Sequence, residues 1–182
     1  MNKKTILPLI LEPNITLHQK SQYINKIDYK TKEFCKNLIT TMKHYNGMGI
    51  AAVQVGILKK IIVISTINLK KNNNKNLKLK EHPIILINPK IIKKSQNKKI
   101  YIEGCLSFGN TFLKIERFNK IKVKYLDLNG RVNFLEVSNN IIAACLQHEI
   151  DHTDGITLLD RLSKIKKDFM IKKYLKWKKK NI

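Results

Sequence analysis

The stretch Gln147-His148-Glu149-Ile150-Asp151-His152 constrains this chain more than any other. In a helix its two histidines stand four residues apart on one face, about 6 Å along the axis, so both imidazoles reach one metal ion. Glu149 then lies beside the ion, in the H-E-x-x-H arrangement where a glutamate acts as general base on activated water. Ser138-Asn139-Asn140 offers capping side chains upstream, Ile141 to Leu146 is apolar, and Gly155 is a stop signal. Ile141, Ala144 and Cys145 share the face of the histidines, which predicts that this face is buried. Imidazoles and a carboxylate are costly to bury unless a partner satisfies them, and a metal is such a partner.

A catalytic site that keeps one position open for water needs a third protein ligand. Two thiols compete for that place. Cys145 precedes His148 by one helical turn, whereas Cys105 lies in Glu103-Gly104-Cys105-Leu106-Ser107, after a predicted strand. A ligand from a separate element clamps a site better, which favours Cys105 only modestly. Cys35 reads as a small core residue. Three cysteines form no disulfide framework and point to a reducing compartment.

Around this core the chain reads as one α+β domain, with antiparallel or mixed β-sheets packed on a central metal-binding helix between an N-terminal and a C-terminal helix. Asp28 to Tyr45 carries Phe34, Leu38, Met42 and Tyr45 at helical period and closes at Asn46-Gly47. In Gly47-Met48-Gly49-Ile50-Ala51-Ala52-Val53-Gln54 the two glycines permit positive φ or close backbone approach, with no phosphate-loop pattern following. Lys60 to Thr66 suits a buried strand, and Lys70 to Lys80 a solvated loop. Ile84 to Asn88 reads as a strand that stops at Pro89, with Ile91-Ile92 extending the sheet. Ile121 to Tyr125 alternates, and Asn129-Gly130 predicts a hairpin to Val132–Val137. Asp160 to Lys180 reads as a basic amphipathic helix with Met170, Tyr174 and Trp177 on one stripe. We expect that helix to be peripheral, so that removing residues 172–182 spares the hydrolysis of short peptides.

The formal net charge of +23 invites a nucleic-acid reading. Only Arg117, Arg131 and Arg161 are arginines, however, and a base-reading protein leans on arginine for bidentate contacts. Lysine, asparagine and isoleucine rise together, the mark of codon bias. Specific nucleic-acid recognition, of DNA in particular, is not expected, and weak electrostatic attraction to a ribosome or RNA surface is the stronger expectation. No apolar run approaches the roughly 20 residues of a membrane span. The segment Ile6 to Leu11 is too short, and too interrupted by Pro8, for a signal peptide, so the chain is expected to stay in the compartment where it is made.

Three ordered blocks, Gly47 to Gln54, Glu103 to Ser107 and Gln147 to His152, resemble the signatures of the peptide deformylase family over nearly the whole chain. The resemblance implies removal of the N-formyl group from the formyl-methionine of new polypeptides, with release of formate. It makes Cys105, His148 and His152 the metal ligands, Glu149 the general base and acid, and the Gln54 side chain and Leu106 N–H the oxyanion donors. It implies that Gly47, Met48, Gly49, Ile50, Gly104, Ala144 and Cys145 contact substrate, and that Arg117 holds the peptide or braces Glu103. Fe(2+) is implied as the native ion, with Zn(2+), Ni(2+) or Co(2+) able to substitute. The implied partners are N-formyl-methionyl nascent peptides and, through the basic C-terminal helix, the ribosome surface. The implied location is a bacterial-type cytoplasm, or an organelle stroma or matrix. Ile50 and Thr153 stand where the family usually has leucine, and Thr153 is expected to loosen packing behind His152.

Two rivals remain at this level. A metalloprotease also uses H-E-x-x-H, but no third histidine or distal glutamate stands at typical spacing. An RNA-surface module with a structural zinc would tolerate loss of Glu149.

Overall fold

The structure, a computed structural model, describes residues 5–65, 83–138 and 141–181. The expected loop at 70–80 and the proposed caps Asn139 and Asn140 lie outside them.

Helix α1 (Tyr29–His44) begins where the Asp28 carboxylate accepts from the Thr31 backbone N–H at 2.8 Å. It ends with Gly47 N–H bonded to Met42 O at 2.8 Å and Asn46 N–H to Lys43 O at 3.1 Å. Asn46, at φ 53°, takes the left-handed position, so Gly47 is free of that duty.

Seven strands follow among the described residues: β1 (Gly49–Ala51), β2 (Ile61–Ile64), β3 (Ile84–Lys94), β4 (Lys98–Gly104), β5 (Phe112–Phe118), β6 (Lys120–Leu126) and β7 (Val132–Ser138). Five form a sheet in the order β1-β2-β3-β6-β7, while β4 and β5 form a separate hairpin. All these pairings are antiparallel, and among the described residues the one parallel contact is the isolated bridge Gln22–Lys59. The β-branched run of β2 is buried because the sheet is covered on both faces. Ile62 and Ile64 pack with Ile142, Leu146 and Ile150 of the second helix, whereas Ile61 and Val63 pack with Cys35, Leu38 and Met42 of α1. Full burial stabilises each such side chain by about 1.5–3 kcal/mol.

Pro89 does not end its strand. The register shifts between Ile87 and Lys90, and Asn88 sits at φ 51°, so the proline lies in a bulge where no ladder donor is required. The hairpin of β4 and β5 was not anticipated, although β5 alternates exposed and buried residues along its length. Asn129-Gly130 does join β6 to β7, but in a longer turn. The Asp127 side chain accepts from Asn129 N at 2.8 Å and Arg131 N at 3.0 Å, and only Gly130 takes a positive φ there.

Helix α2 (Ile141–Thr153) is buried on nearly every side, so the expectation of one apolar face was too narrow. Ile141, assigned to that face, is 41% exposed at the helix start. At the other end Gly155, at φ 74°, allows Ile156 N–H to reach Asp151 O at 3.0 Å. Thr153 does not loosen this end. Its hydroxyl donates to Ile150 O at 2.8 Å, and the buried Lys60 ammonium reaches Asp154 Oδ1 at 2.6 Å, a cation at the helix C-terminus.

The last helix, α3 (Lys164–Asn181), starts later than expected, because Asp160 sits in a preceding turn and accepts from Thr157 N at 2.9 Å. It is also less peripheral than expected. Tyr174 is 2% exposed and belongs to a cluster with Cys105, Phe108 and Leu158. No described helix is long and apolar enough to cross a membrane.

Candidate metal centre and active site

The helical spacing of α2 sets the His148 and His152 ring centroids 4.8 Å apart. Cys105 follows β4 directly, and the hairpin brings its Sγ within 3.2 Å of His152 Nε2. One ligand atom from each of Cys105, His148 and His152 lies within 4.8 Å of the others. The tertiary fold thus brings Cys105, rather than Cys145, to the histidines. Cys145 points to β1 instead, where a Cβ on Gly49 would stand 2.9 Å from its Sγ. Burial pushes the Cys145 thiol well up, which keeps it protonated.

Each ring is prepared for a cation. His148 Nδ1 faces Glu103 Oε2 at 3.0 Å, an arrangement that orients the ring and leaves Nε2 for the cluster. Burial, with the neighbouring His148, holds His152 well below its ordinary pKa and so neutral. Burial pushes Glu149 up to about 7. Its Oε2 is buried with no hydrogen-bond partner among the described residues, a cost that a cation or its water would relieve. One soft thiolate and two imidazoles therefore fit a divalent transition metal.

A chain of charge runs behind the centre. Arg117 grips Glu103 with two bonds, Nε to Oε1 at 2.7 Å and Nη2 to Oε2 at 2.9 Å, while its Nη1 reaches Asp151 Oδ2 at 2.5 Å. Arg161 closes on the same Asp151 from outside. Burial opposes ionisation of Glu103, but Arg117 and His148 hold its carboxyl below the ordinary value. Arg117 is 3% exposed, and its contacts with Glu103 and Asp151 are those of a brace. Asp151 and Arg161 were missed. The signal was there in Asp151, a carboxylate one turn after His148 on a buried helix that needs a partner of its own.

The first block faces this centre. Gln54 accepts from Ala51 N at 2.8 Å through Oε1, which aims its Nε2 at Ser107 Oγ (3.2 Å) and Cys105 Sγ (3.6 Å). Leu106 packs on Gly47, where a Cβ would come within 3.0 Å of its Cδ1. Met48 and Cys145, both partly buried, each pack against the cluster that includes Ile142, Leu146 and Ile150 of α2. Ile50 turns the other way: its side chain is fully buried among Leu38 and Met42 of α1, so only its main chain faces the site. Ala144 is buried in α2, and Gly104 presents its bare Cα to the Phe112 ring.

Comparisons with known proteins point to one family. The family model described as polypeptide deformylase matches residues 6–168. The peptide deformylase of Rhizobium meliloti is 35% identical over 172 residues, spanning 94% of each chain. That of Rickettsia akari is 36% identical over 174 residues, spanning 96% of this chain and 97% of its own. The crystal structure of peptide deformylase from Ehrlichia chaffeensis superposes with a TM-score of 0.88 at 36% identity, covering 97% of this chain and 99% of that one. The same enzyme in complex with actinonin gives 0.86. By sequence along nearly its whole length, and by fold, the chain belongs to the polypeptide deformylase family.

Proposed function

We propose that this chain, as one catalytic domain over residues 1–182, hydrolyses the N-formyl group of N-formyl-methionyl peptides and releases formate. The observation that carries the reading is the convergence of Cys105, His148 and His152 within 4.8 Å, with Glu149 Oε2, buried and without a partner among the described residues, on the helix of the two histidines. Cys105, His148 and His152 would hold one divalent ion. Such an ion supplies Lewis acidity, polarising a carbonyl and lowering the pKa of water.

Glu149 takes a proton as water attacks the formyl carbon, then delivers it to the departing amine. Gln54 Nε2 and the Leu106 N–H donate to the oxygen on which negative charge develops. The substrate backbone adds to the outer edge of β1, the end strand of its sheet, by main-chain hydrogen bonds at Gly47 to Ile50. Met48, Gly49, Leu106, Ala144 and Cys145 accommodate the methionine side chain, with Gly104 at the rim.

Fe(2+) is the native ion in this reading, with Zn(2+), Ni(2+) or Co(2+) able to take its place. The activity belongs where formylated chains are made, in a bacterial-type cytoplasm or an organelle stroma or matrix. The three free cysteines suit a reducing compartment of that kind. The exposed lysines of α3 offer a ribosome contact.

The test is formate release from formyl-Met-Ala by metal-loaded protein, beside an unformylated peptide with internal bonds. Release from the first alone is expected, and cleavage of the second would favour an endopeptidase. Glu149→Ala should keep the metal and lose turnover by about 10²–10⁴-fold. Unchanged turnover would point to a structural metal instead.

A further inference from the structure

We infer that the C-terminal helix is part of the machinery that positions the active site: Tyr174 and Trp177 clamp the turn that carries Cys105 and Leu106. After β4 the chain makes a short 3-10 turn, Leu106–Phe108, and reverses at Gly109. Tyr174 stacks on Phe108 with centroids 4.4 Å apart and planes 26° apart, and Trp177 stacks on Tyr174 at 5.7 Å and 24°. The indole lies so close over Gly109 that a Cβ there would stand 2.5 Å from Trp177 Cζ3. Gly109 also sits at φ 58°, so the site of contact is one that only glycine fills without strain.

The clamp has a second jaw. Lys178 Nζ donates to Glu12 O at 3.0 Å, and Glu12 N donates to Ser107 O at 2.9 Å. From the opposite side Gln54 Nε2 reaches Ser107 Oγ at 3.2 Å. The turn is thus held between the first block of the active site and the last helix. Tyr174 shares a buried cluster with Cys105 itself. Within that turn sit the only ligand not on α2 and the backbone donor assigned to the oxyanion. Displacements of about 1 Å at such a donor cost turnover on the order of 10²-fold.

Both aromatic residues lie beyond residues 6–168, the part matched by the family model. Tyr174 and Trp177 touch neither metal nor substrate in this account, so they are positioning residues. The Leu106 half of the argument rests on the deformylase reading, whereas the Cys105 half rests only on the metal site.

The experiment uses the full chain loaded with cobalt, as wild type, Tyr174→Ala, Tyr174→Phe and Trp177→Ala. Tyr174→Ala and Trp177→Ala should bind one cobalt per chain but shift or weaken the cobalt–thiolate charge-transfer band. Their kcat for formyl-Met-Ala should fall at least tenfold, with KM within about twofold. Tyr174→Phe should restore both, because stacking on Phe108 needs no hydroxyl. A folded Tyr174→Ala protein with the wild-type band and kcat overturns the clamp, and so does failure of Tyr174→Phe to restore them. Should Tyr174→Ala not fold, Tyr174→Leu is judged by the same criteria. If wild type itself releases no formate, the deformylase reading fails, and the cobalt band alone decides the clamp.

Discussion

Gly49 and Glu149 are in contact across the boundary between the sheet and the central helix: a Cβ on Gly49 would stand 2.7 Å from Glu149 Oε1 and 2.8 Å from its Cγ. No left-handed backbone requires this glycine, since positive φ among the described glycines occurs only at Gly56, Gly109, Gly130 and Gly155. It is there so that β1 can run directly beneath the carboxylate. Gly49→Ala should therefore displace the Glu149 side chain rather than the metal. We expect at least a tenfold loss of kcat, with metal content near wild type, read by formate release and metal analysis on the same sample.

The two thiols near the centre should behave oppositely. Cys105→Ala removes a ligand and should abolish stoichiometric metal binding, while Cys145→Ala should retain the metal and most turnover. The reverse pattern, measured by metal analysis after gel filtration, would mean that the wrong sulfur has been assigned.

Gln54 is 1% exposed and anchored through Ala51 N, so its amide donor is fixed before substrate arrives. Gln54→Ala should raise the barrier by about 2.7–4 kcal/mol, mostly as a lower kcat with KM little changed. An effect confined to KM would remove it from the oxyanion site.

Truncating the brace should be costlier for stability than for substrate binding. Arg117→Ala leaves Glu103 and Asp151 without their buried cation, which typically destabilises by about 3–5 kcal/mol. It also frees the carboxylate that orients His148, so metal affinity should drop by about 10–100-fold. Thermal melting and competitive metal titration measure the two effects separately.

Cys35 should be chemically silent. It is fully buried on the inner face of α1, and burial pushes its pKa up to about 12. Thiolate is the reactive form, and roughly one part in 10⁴ is present at pH 8. Iodoacetamide should label Cys35 only after denaturation, whereas metal-free native protein should be labelled at Cys105. Rapid labelling of Cys35 in the native state would show that α1 opens readily.

The chemistry at α2 was legible because it is local. Four-residue spacing alone puts His148 and His152 on one face, and helix ends are marked by the capping side chain of Asp28 and by the tolerance of Asn46 and Gly155 for positive φ. The β4–β5 hairpin was less legible, since its pairing joins residues 8 to 20 positions apart, from Gly104 with Phe112 to Lys98 with Phe118. Pro89 misled because a proline forbids a ladder bond but not a bulge, and only the neighbouring strand reveals which of the two applies.

From sequence alone came the two imidazoles, the carboxylate between them and the family to which three ordered blocks point. The tertiary structure decided what no spacing could: that Cys105 rather than Cys145 meets the histidines, that Arg117 is buried against Glu103 and Asp151, and that Tyr174 lies in the core with Cys105. Helical period is a property of neighbouring residues, but convergence of β4, α2 and α3 depends on how their faces exclude water from one another.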